Sequence, residues 1–151
     1  MDKIDRAILE MLQVEFPLVK RPFKLIGERV GIAEEEAIAR IKRLLESGKI
    51  RQIRPVIDSK KLGLKSTLVA MSIPQDRIGE VAGIINSYDG VSHNYVRNHH
   101  YNIWFTLAAR DEKSLNEIVE EIKKRAGIED VLNLPTKKLF KLEVKFNMTR
   151  T

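Results

Sequence analysis

Gly90-Val91-Ser92-His93-Asn94-Tyr95-Val96-Arg97-Asn98-His99-His100-Tyr101-Asn102-Ile103-Trp104-Phe105 is the stretch on which the fold turns. Val91 to Arg97 and Tyr101 to Ala109 read as two strands of a hairpin, entered through the Asp89-Gly90 turn. Upstream, Ser66 to Ile73 is a strand, and Gln75 to Ser87 is a helix that buries Ile78, Val81, Ala82 and Ile85. Downstream, Asp111 caps a helix with Leu115, Ile118, Val119 and Ile122 on one face, ending before Gly127. The closing run Lys138 to Phe146 alternates, with Leu139, Phe140, Leu142, Val144 and Phe146 apolar. That order, β-α-β-β-α-β, predicts a ferredoxin-like α+β domain over 61–151, a four-stranded antiparallel sheet with helices on one face. Its other face needs a cover, because an open apolar sheet face is an aggregation hazard. A second copy or a sister subunit is the expected cover, so the chain is expected to be at least a dimer.

Residues 1–60 follow helical periods instead. Ile4, Ala7, Ile8, Met11 and Leu12 form one stripe behind Asp2, and Phe16-Pro17 ends that helix. A second helix, Phe23 to Val30, stops at Gly31; a third carries Ala37, Ile38, Ile41, Leu44 and Leu45 on one face and stops at Gly48. With a strand-like Ile50 to Ile57 after them, these helices predict a winged helix-turn-helix.

Composition bounds what such a chain can do. Of 151 residues, 43% are hydrophobic and 32% charged, a globular balance. The start lacks the basic and then apolar blocks of a signal peptide, and no apolar run could span a bilayer, so a cytoplasmic protein without a membrane partner is expected. Cysteine is absent, which removes disulfides, thiolate zinc sites, cysteine nucleophiles and iron–sulfur ligation by this chain. The net charge of +6 divides evenly between the two segments, with a local excess from Lys49 to Lys65.

A helix-turn-helix invites a DNA-binding reading, and the third helix argues against it. Its N-terminal end, which would meet base edges, is Glu34-Glu35-Glu36. Carboxylates suit a helix N-terminus but not a phosphate backbone, where affinity comes from Lys and Arg. DNA binding is therefore not expected, although a DNA-binding regulator with a small-molecule effector stays open as an alternative.

The hairpin concentrates the chemistry. All three histidines, His93, His99 and His100, lie within it, beside the single tryptophan. Strand alternation predicts His93, Tyr95 and Arg97 on one face, with Asn94 and Val96 on the other. A guanidinium grips a carboxylate through two hydrogen bonds, and an imidazole exchanges protons near neutral pH. Together they suit acid–base work on a carboxylated substrate. The residues alone also fit a hairpin whose polar side chains only face water. An all-protein metal site is not expected, since no Asp or Glu is near in sequence; a single histidine on an iron porphyrin stays open.

These segments resemble a known family. The helix-turn-helix followed by a ferredoxin-like domain resembles the Lrp/AsnC regulators over nearly the whole chain. Phe16-Pro17-Leu18-Val19 with Arg21-Pro22-Phe23, Lys65-Ser66-Thr67-Leu68-Val69-Ala70, His93-Asn94-Tyr95-Val96-Arg97 with Tyr101-Asn102-Ile103-Trp104-Phe105-Thr106-Leu107, and Leu134 to Lys141 are similar to the siroheme decarboxylase branch of that group. The regulators often carry a glycine two residues before a Tyr-Asp pair; here His99 precedes Tyr101-Asn102.

The resemblance implies removal of carboxyl groups from two acetate arms of siroheme, giving didecarboxysiroheme for heme biosynthesis, by a pair of homologous subunits. It implies that His93, Tyr95, Arg97 and His99 are catalytic. Arg51, Arg54 and Lys65 are expected to supply the basic pocket that a polycarboxylate needs, with Asn94, His100, Tyr101 and Trp104 as further substrate contacts. The iron tetrapyrrole is substrate, and no cofactor is expected. A subunit that binds heme or siroheme without catalysis is the remaining alternative.

Overall fold

The first helix begins where the sequence satisfies its own free amides. The Asp2 carboxylate accepts from the Asp5 backbone N–H at 2.8 Å, and the Asp5 carboxylate accepts from the Asp2 N–H at 3.2 Å, a reciprocal capping box. In the computed structural model, which describes residues 1–138, 140, 141 and 145–148, this helix is α1, Lys3–Val14. Pro22 opens α2, Pro22–Val30, at a first-turn position where a missing N–H costs nothing. Gly31, in the left-handed region with φ 77°, ends it. Helix α3, Glu34–Glu46, follows after a turn so tight that a Cβ on Gly27 would meet the Ile32 carbonyl oxygen at 2.7 Å. Ile8, Leu9, Ile26, Ala37, Ile41 and Leu44 form the shared core. Full burial of an aliphatic side chain contributes roughly 1.5–3 kcal/mol, so this stripe dominates the stability of the three helices.

The helix-turn-helix is therefore present, but the strand-like Ile50 to Ile57 is not a strand. It has no ladder partner among the described residues, and Pro55 offers no N–H to one.

The chain forms two compact units, Met1–Val56 with the described residues of Lys141–Thr151, and Ile57–Phe140. The expected division at 60/61 assigned the C-terminal segment to the second domain. Instead, the Gln13 side-chain amide donates to the Phe146 carbonyl at 3.1 Å and accepts from the Phe146 N–H at 2.7 Å, and Met148 packs on the helical core.

The second unit has the expected order. Strand β1 is Lys65–Met71; a short 3-10 turn, Gln75–Arg77, leads into α4, Ile78–Asn86. Strands β2, Val91–Val96, and β3, Ile103–Ala109, form the hairpin; α5, Glu112–Ala126, and β4, Val131–Pro135, complete it. All pairings are antiparallel, in the order β2-β3-β1-β4. The fourth strand is thus earlier than the alternating run suggested. Of that run, Lys138, Phe140, Lys141, Lys145 and Phe146 are not in a strand, and Leu139, Leu142, Glu143 and Val144 lie outside the described residues.

Val69, Met71, Ile103, Phe105 and Leu107 face the helices and pack on Val81, Ile85, Leu115, Val119 and Ile122. The opposite face carries Leu68, Ala70, Trp104, Thr106, Leu132 and Leu134 by register. Leu68 and Leu134 lie side by side there, 38% and 41% exposed, which is apolar surface of the kind a partner covers. Among the described residues no helix is long and apolar enough to cross a membrane.

Candidate functional site

Two anchors fix the hairpin. At its entrance, Gly90 lies so close to β3 that a Cβ would meet the Ala108 carbonyl oxygen at 2.3 Å, while the Gly90 carbonyl accepts from the Ala108 N–H at 2.9 Å. At its tip, the Asn102 N–H donates to the Met71 carbonyl at 3.0 Å, and its carbonyl accepts from the Arg97 N–H at 2.8 Å. Between them the register shifts by one residue: Val91 pairs with Leu107, but His93 pairs with Thr106. Ser92 is the extra residue of a β-bulge. Its consequence is chemical. Val91 faces the helices beside Leu107, yet His93, two positions later, shares the open face with Thr106, and Tyr95 shares it with Trp104.

His93, Tyr95 and Arg97 form a row along that face. The His93 and Tyr95 rings stack with centroids 6.1 Å apart and planes at 19°, and the Arg97 Cζ lies 5.4 Å over the Tyr95 ring. The Ser92 Oγ is 3.1 Å from His93 Nδ1, which leaves Nε2 as the outward nitrogen.

The tip brings a second group together. His99 Nδ1 accepts from the Tyr101 backbone N–H at 3.1 Å, and the His99 and Tyr101 rings stack 6.2 Å apart. His100 Nε2 lies 2.7 Å from an Asp130 carboxylate oxygen, with its ring edge-on to Tyr101 at 4.8 Å. Asp130 also hydrogen-bonds the Tyr101 phenol and so pushes its pKa up, away from a role as a neutral-pH acid. Trp104 Nε1 donates to the Tyr101 carbonyl at 2.7 Å, which ties the tip to the row.

Other expected site residues lie elsewhere. Asn94 is on the helix-facing side of β2, donating to Asn86 Oδ1 at 3.0 Å, so it does not join the row. Lys65 pairs with Ala109 at the far end of β1 from the tip and, with Lys60, Glu112 and Asn116, lines a separate hollow. Strand parity turns Asn94 away from the row, and position along β1 sets Lys65 apart from it. Arg51 and Arg54 belong to the helical unit, where they line an apolar groove with Leu12, Phe16 and Ile53. Among the described residues no three His, Asp or Glu side chains converge on a metal position.

Asp130 and Asn102 were missed from the sequence. Asp130 stands 30 positions from His100, but the ferredoxin-like order brings the α5–β4 loop to the sheet end that holds the β2–β3 tip. That topology was the available signal.

In the helical unit, Arg21 pairs with Glu34 at the start of α3. Arg40 is held by Asp2 at 2.6 Å, Asp5 at 2.9 Å and Glu36 at 2.8 Å, which keep it charged well above its ordinary range. Of the three cations on α3, Arg40, Lys42 and Arg43, the first is thus already bonded to three carboxylates rather than offered to a phosphate.

The comparisons agree with this architecture. Residues 5–51 match the siroheme decarboxylase NirDL-like HTH domain, and residues 61–141 match the AsnC-like ligand binding domain. A siroheme decarboxylase alpha subunit from Nitratidesulfovibrio vulgaris is 43% identical over 98% of this chain and 84% of its own length. A siroheme decarboxylase NirD subunit from Pseudomonas aeruginosa is 34% identical over 97% of this chain and 96% of its own. The crystal structure of the siroheme decarboxylase NirDL in co-complex with an iron-uroporphyrin III analogue superposes with a TM-score of 0.72 at 37% identity, covering 95% of this chain. This chain spans about half, 48%, of that one.

Proposed function

The chain belongs to the siroheme decarboxylase family, and from that premise we propose that it is an alpha-type subunit whose β2–β3 hairpin binds siroheme and removes carboxyl groups from two of its acetate arms. One observation carries the assignment to the hairpin: an imidazole, a phenol and a guanidinium stand in a row on an open sheet face, bordered by Trp104.

A planar tetrapyrrole with carboxylate arms needs an apolar or aromatic platform and fixed cations at its rim. Trp104 and Tyr95 supply the first, and Arg97 grips a carboxylate with paired N–H groups. The reaction replaces a carboxylate by a hydrogen. Protonation of the pyrrole ring makes it an electron sink, the bond to the carboxylate breaks, carbon dioxide leaves, and the methylene carbon takes a proton. No electrons are transferred overall, so this route needs no redox cofactor. His93 or His99 is the general acid, with Tyr95 assisting through its contact with His93.

A homologous sister subunit fits the apolar face around Leu68 and Leu134, and the separately named alpha, NirD and NirG relatives support such a partnership. The bonding of Arg40 speaks against the DNA-binding alternative.

The test is anaerobic incubation of the purified chain with siroheme, with and without its sister subunit, followed by product masses. Two successive losses of carbon dioxide are expected. A changed absorbance spectrum without any mass change in either preparation would leave a tetrapyrrole-binding module instead.

A further inference from the structure

Decarboxylation of a pyrrole acetate consumes one proton, but its steps need more than a donor. The ring accepts a proton before carbon dioxide leaves, the methylene carbon accepts another, and the ring must then release the first. Two protons are delivered and one is recovered. A site that performs this needs a donor and an acceptor presented together.

The tip of the hairpin holds two adjacent histidines by opposite nitrogens. A backbone N–H can only donate, so the Tyr101 amide fixes His99 Nδ1 as an acceptor, and the neutral ring must carry its proton on Nε2. An ionised carboxylate can only accept, so Asp130 holds a proton on His100 Nε2, and in the neutral ring Nδ1 is then the bare nitrogen. The unengaged nitrogen of His99 is therefore a donor, and that of His100 an acceptor.

Asp130 is itself held from two sides. Its backbone carbonyl accepts from the Ser72 N–H at 3.0 Å, and its carboxylate bonds the Tyr101 phenol as well as His100.

We propose that Asp130 is a positioning residue for the decarboxylation: it sets His100 as the proton acceptor that recovers the ring proton, opposite a His99 set as donor by the Tyr101 amide. This assignment rests on the reading of the chain as a siroheme decarboxylase subunit. The carbon–carbon bond breaks to release carbon dioxide, and its electron pair stays with the methylene carbon. His99 Nε2–H gives that carbon its proton as His100 Nδ1 takes the proton from the ring, and the proton gained by His100 then passes to His99 Nε2, so that both rings return to their neutral forms. The net change is one carboxylate and one proton converted to one methyl hydrogen and carbon dioxide.

The experiment has two arms. In the first, long-range proton–nitrogen NMR on the substrate-free chain reads the histidine tautomers, with His99→Gln and His100→Gln for assignment. His100 is expected with Nδ1 bare in wild type, and as an averaging of both tautomers in Asp130→Ala. A protonated Nδ1 in wild type, or an Asp130→Ala spectrum unchanged from it, overturns the proposal. In the second arm, decarboxylation by the chain with its sister subunit is measured. Asp130→Ala and Asp130→Asn are expected to lower kcat at least tenfold with KM within twofold, and Asp130→Glu, which restores a carboxylate, to recover part of it. Full kcat in both, or loss without recovery in Asp130→Glu, overturns it; the isosteric Asp130→Asn keeps the test valid if the alanine variant folds poorly. Absence of turnover by the wild-type pair would instead refute the decarboxylase reading, and would leave the tautomer result standing.

Discussion

The Asn102 side chain substitutes for a strand at Ile73. Its Oδ1 accepts from the Ile73 N–H at 2.9 Å and its Nδ2 donates to the Ile73 carbonyl at 2.7 Å, both in a buried setting. One amide thus closes the end of β1 and fixes the base of the tip that carries His99, His100 and Tyr101.

Asn102→Ala leaves two buried backbone groups of Ile73 unsatisfied. Each costs about 1–3 kcal/mol, so a loss of ~2–6 kcal/mol in unfolding free energy is expected. Urea unfolding measures it, and hydrogen exchange should show faster exchange at the tip amides. A loss below ~1 kcal/mol would mean that water replaces the amide.

Arg97→Ala should weaken siroheme binding by roughly 10–100-fold, the loss of a charge-assisted hydrogen bond of about 1.5–3 kcal/mol. An absorbance titration shifted to higher protein concentration shows this. Arg97→Lys should bind in between, because it keeps the charge and loses the paired geometry.

His93→Ala and His99→Ala, each folded and paired with the sister subunit, should test the general acid. The variant that removes it loses about 10²–10⁴-fold in kcat. Full rates in both would place the proton source elsewhere.

The Tyr101 phenol is held above its ordinary value of 10.0 by its hydrogen bond to Asp130, with burial adding to the rise. Its protonated form is the one favoured in the folded chain. The stability it contributes is complete below pH ~10 and fades as pH climbs through the raised value. Asp130→Asn should bring its titration back towards the ordinary value, read as ultraviolet absorbance of phenolate with Tyr101→Phe as the reference. An unmoved midpoint would show that Asp130 does not reach the phenol in solution.

The opposite sign holds at Asp2. The Asp5 N–H and Arg40 hold its carboxyl below the usual 3.8, so the folded chain gains from its ionised form. That gain is present above pH ~4 and disappears as pH falls through the lowered value. Urea midpoints followed from pH 5 to pH 2.5 should fall more steeply for wild type than for Arg40→Ala.

The helix-turn-helix and the βαββαβ order were legible because each rests on local signals: Asp2, Gly31 and Asp111 as caps, and apolar periods that name their own buried faces. The row His93, Tyr95, Arg97 was legible for the same reason, since alternation is a property of consecutive residues. What escaped depends on partners far away. Nothing near Val131–Pro135 says that it, rather than the more regular alternation after Lys138, pairs with β1; the pairing of Leu68 with Leu134 decides that. Asn94 looked like a site residue because its neighbours are, although their alternation sends it to the other face. Asp130 reaches His100 only through the topology.

The two anchors of β2 are one residue out of step, and Ser92 absorbs the difference. Facing along the row is therefore measured from the tip, not from the core residue Val91. The strand carries slack at one end and none at the other. A relative that lacks a residue at 92 can still show the same row by running a plain ladder from Val91 to His93. One that loses Val96 from the paired strand has no such reserve, and its imidazole shifts by one pairing to the helix-facing side. The place of a gap, more than the number of matched residues, tells which chains of this lineage can display the row at all.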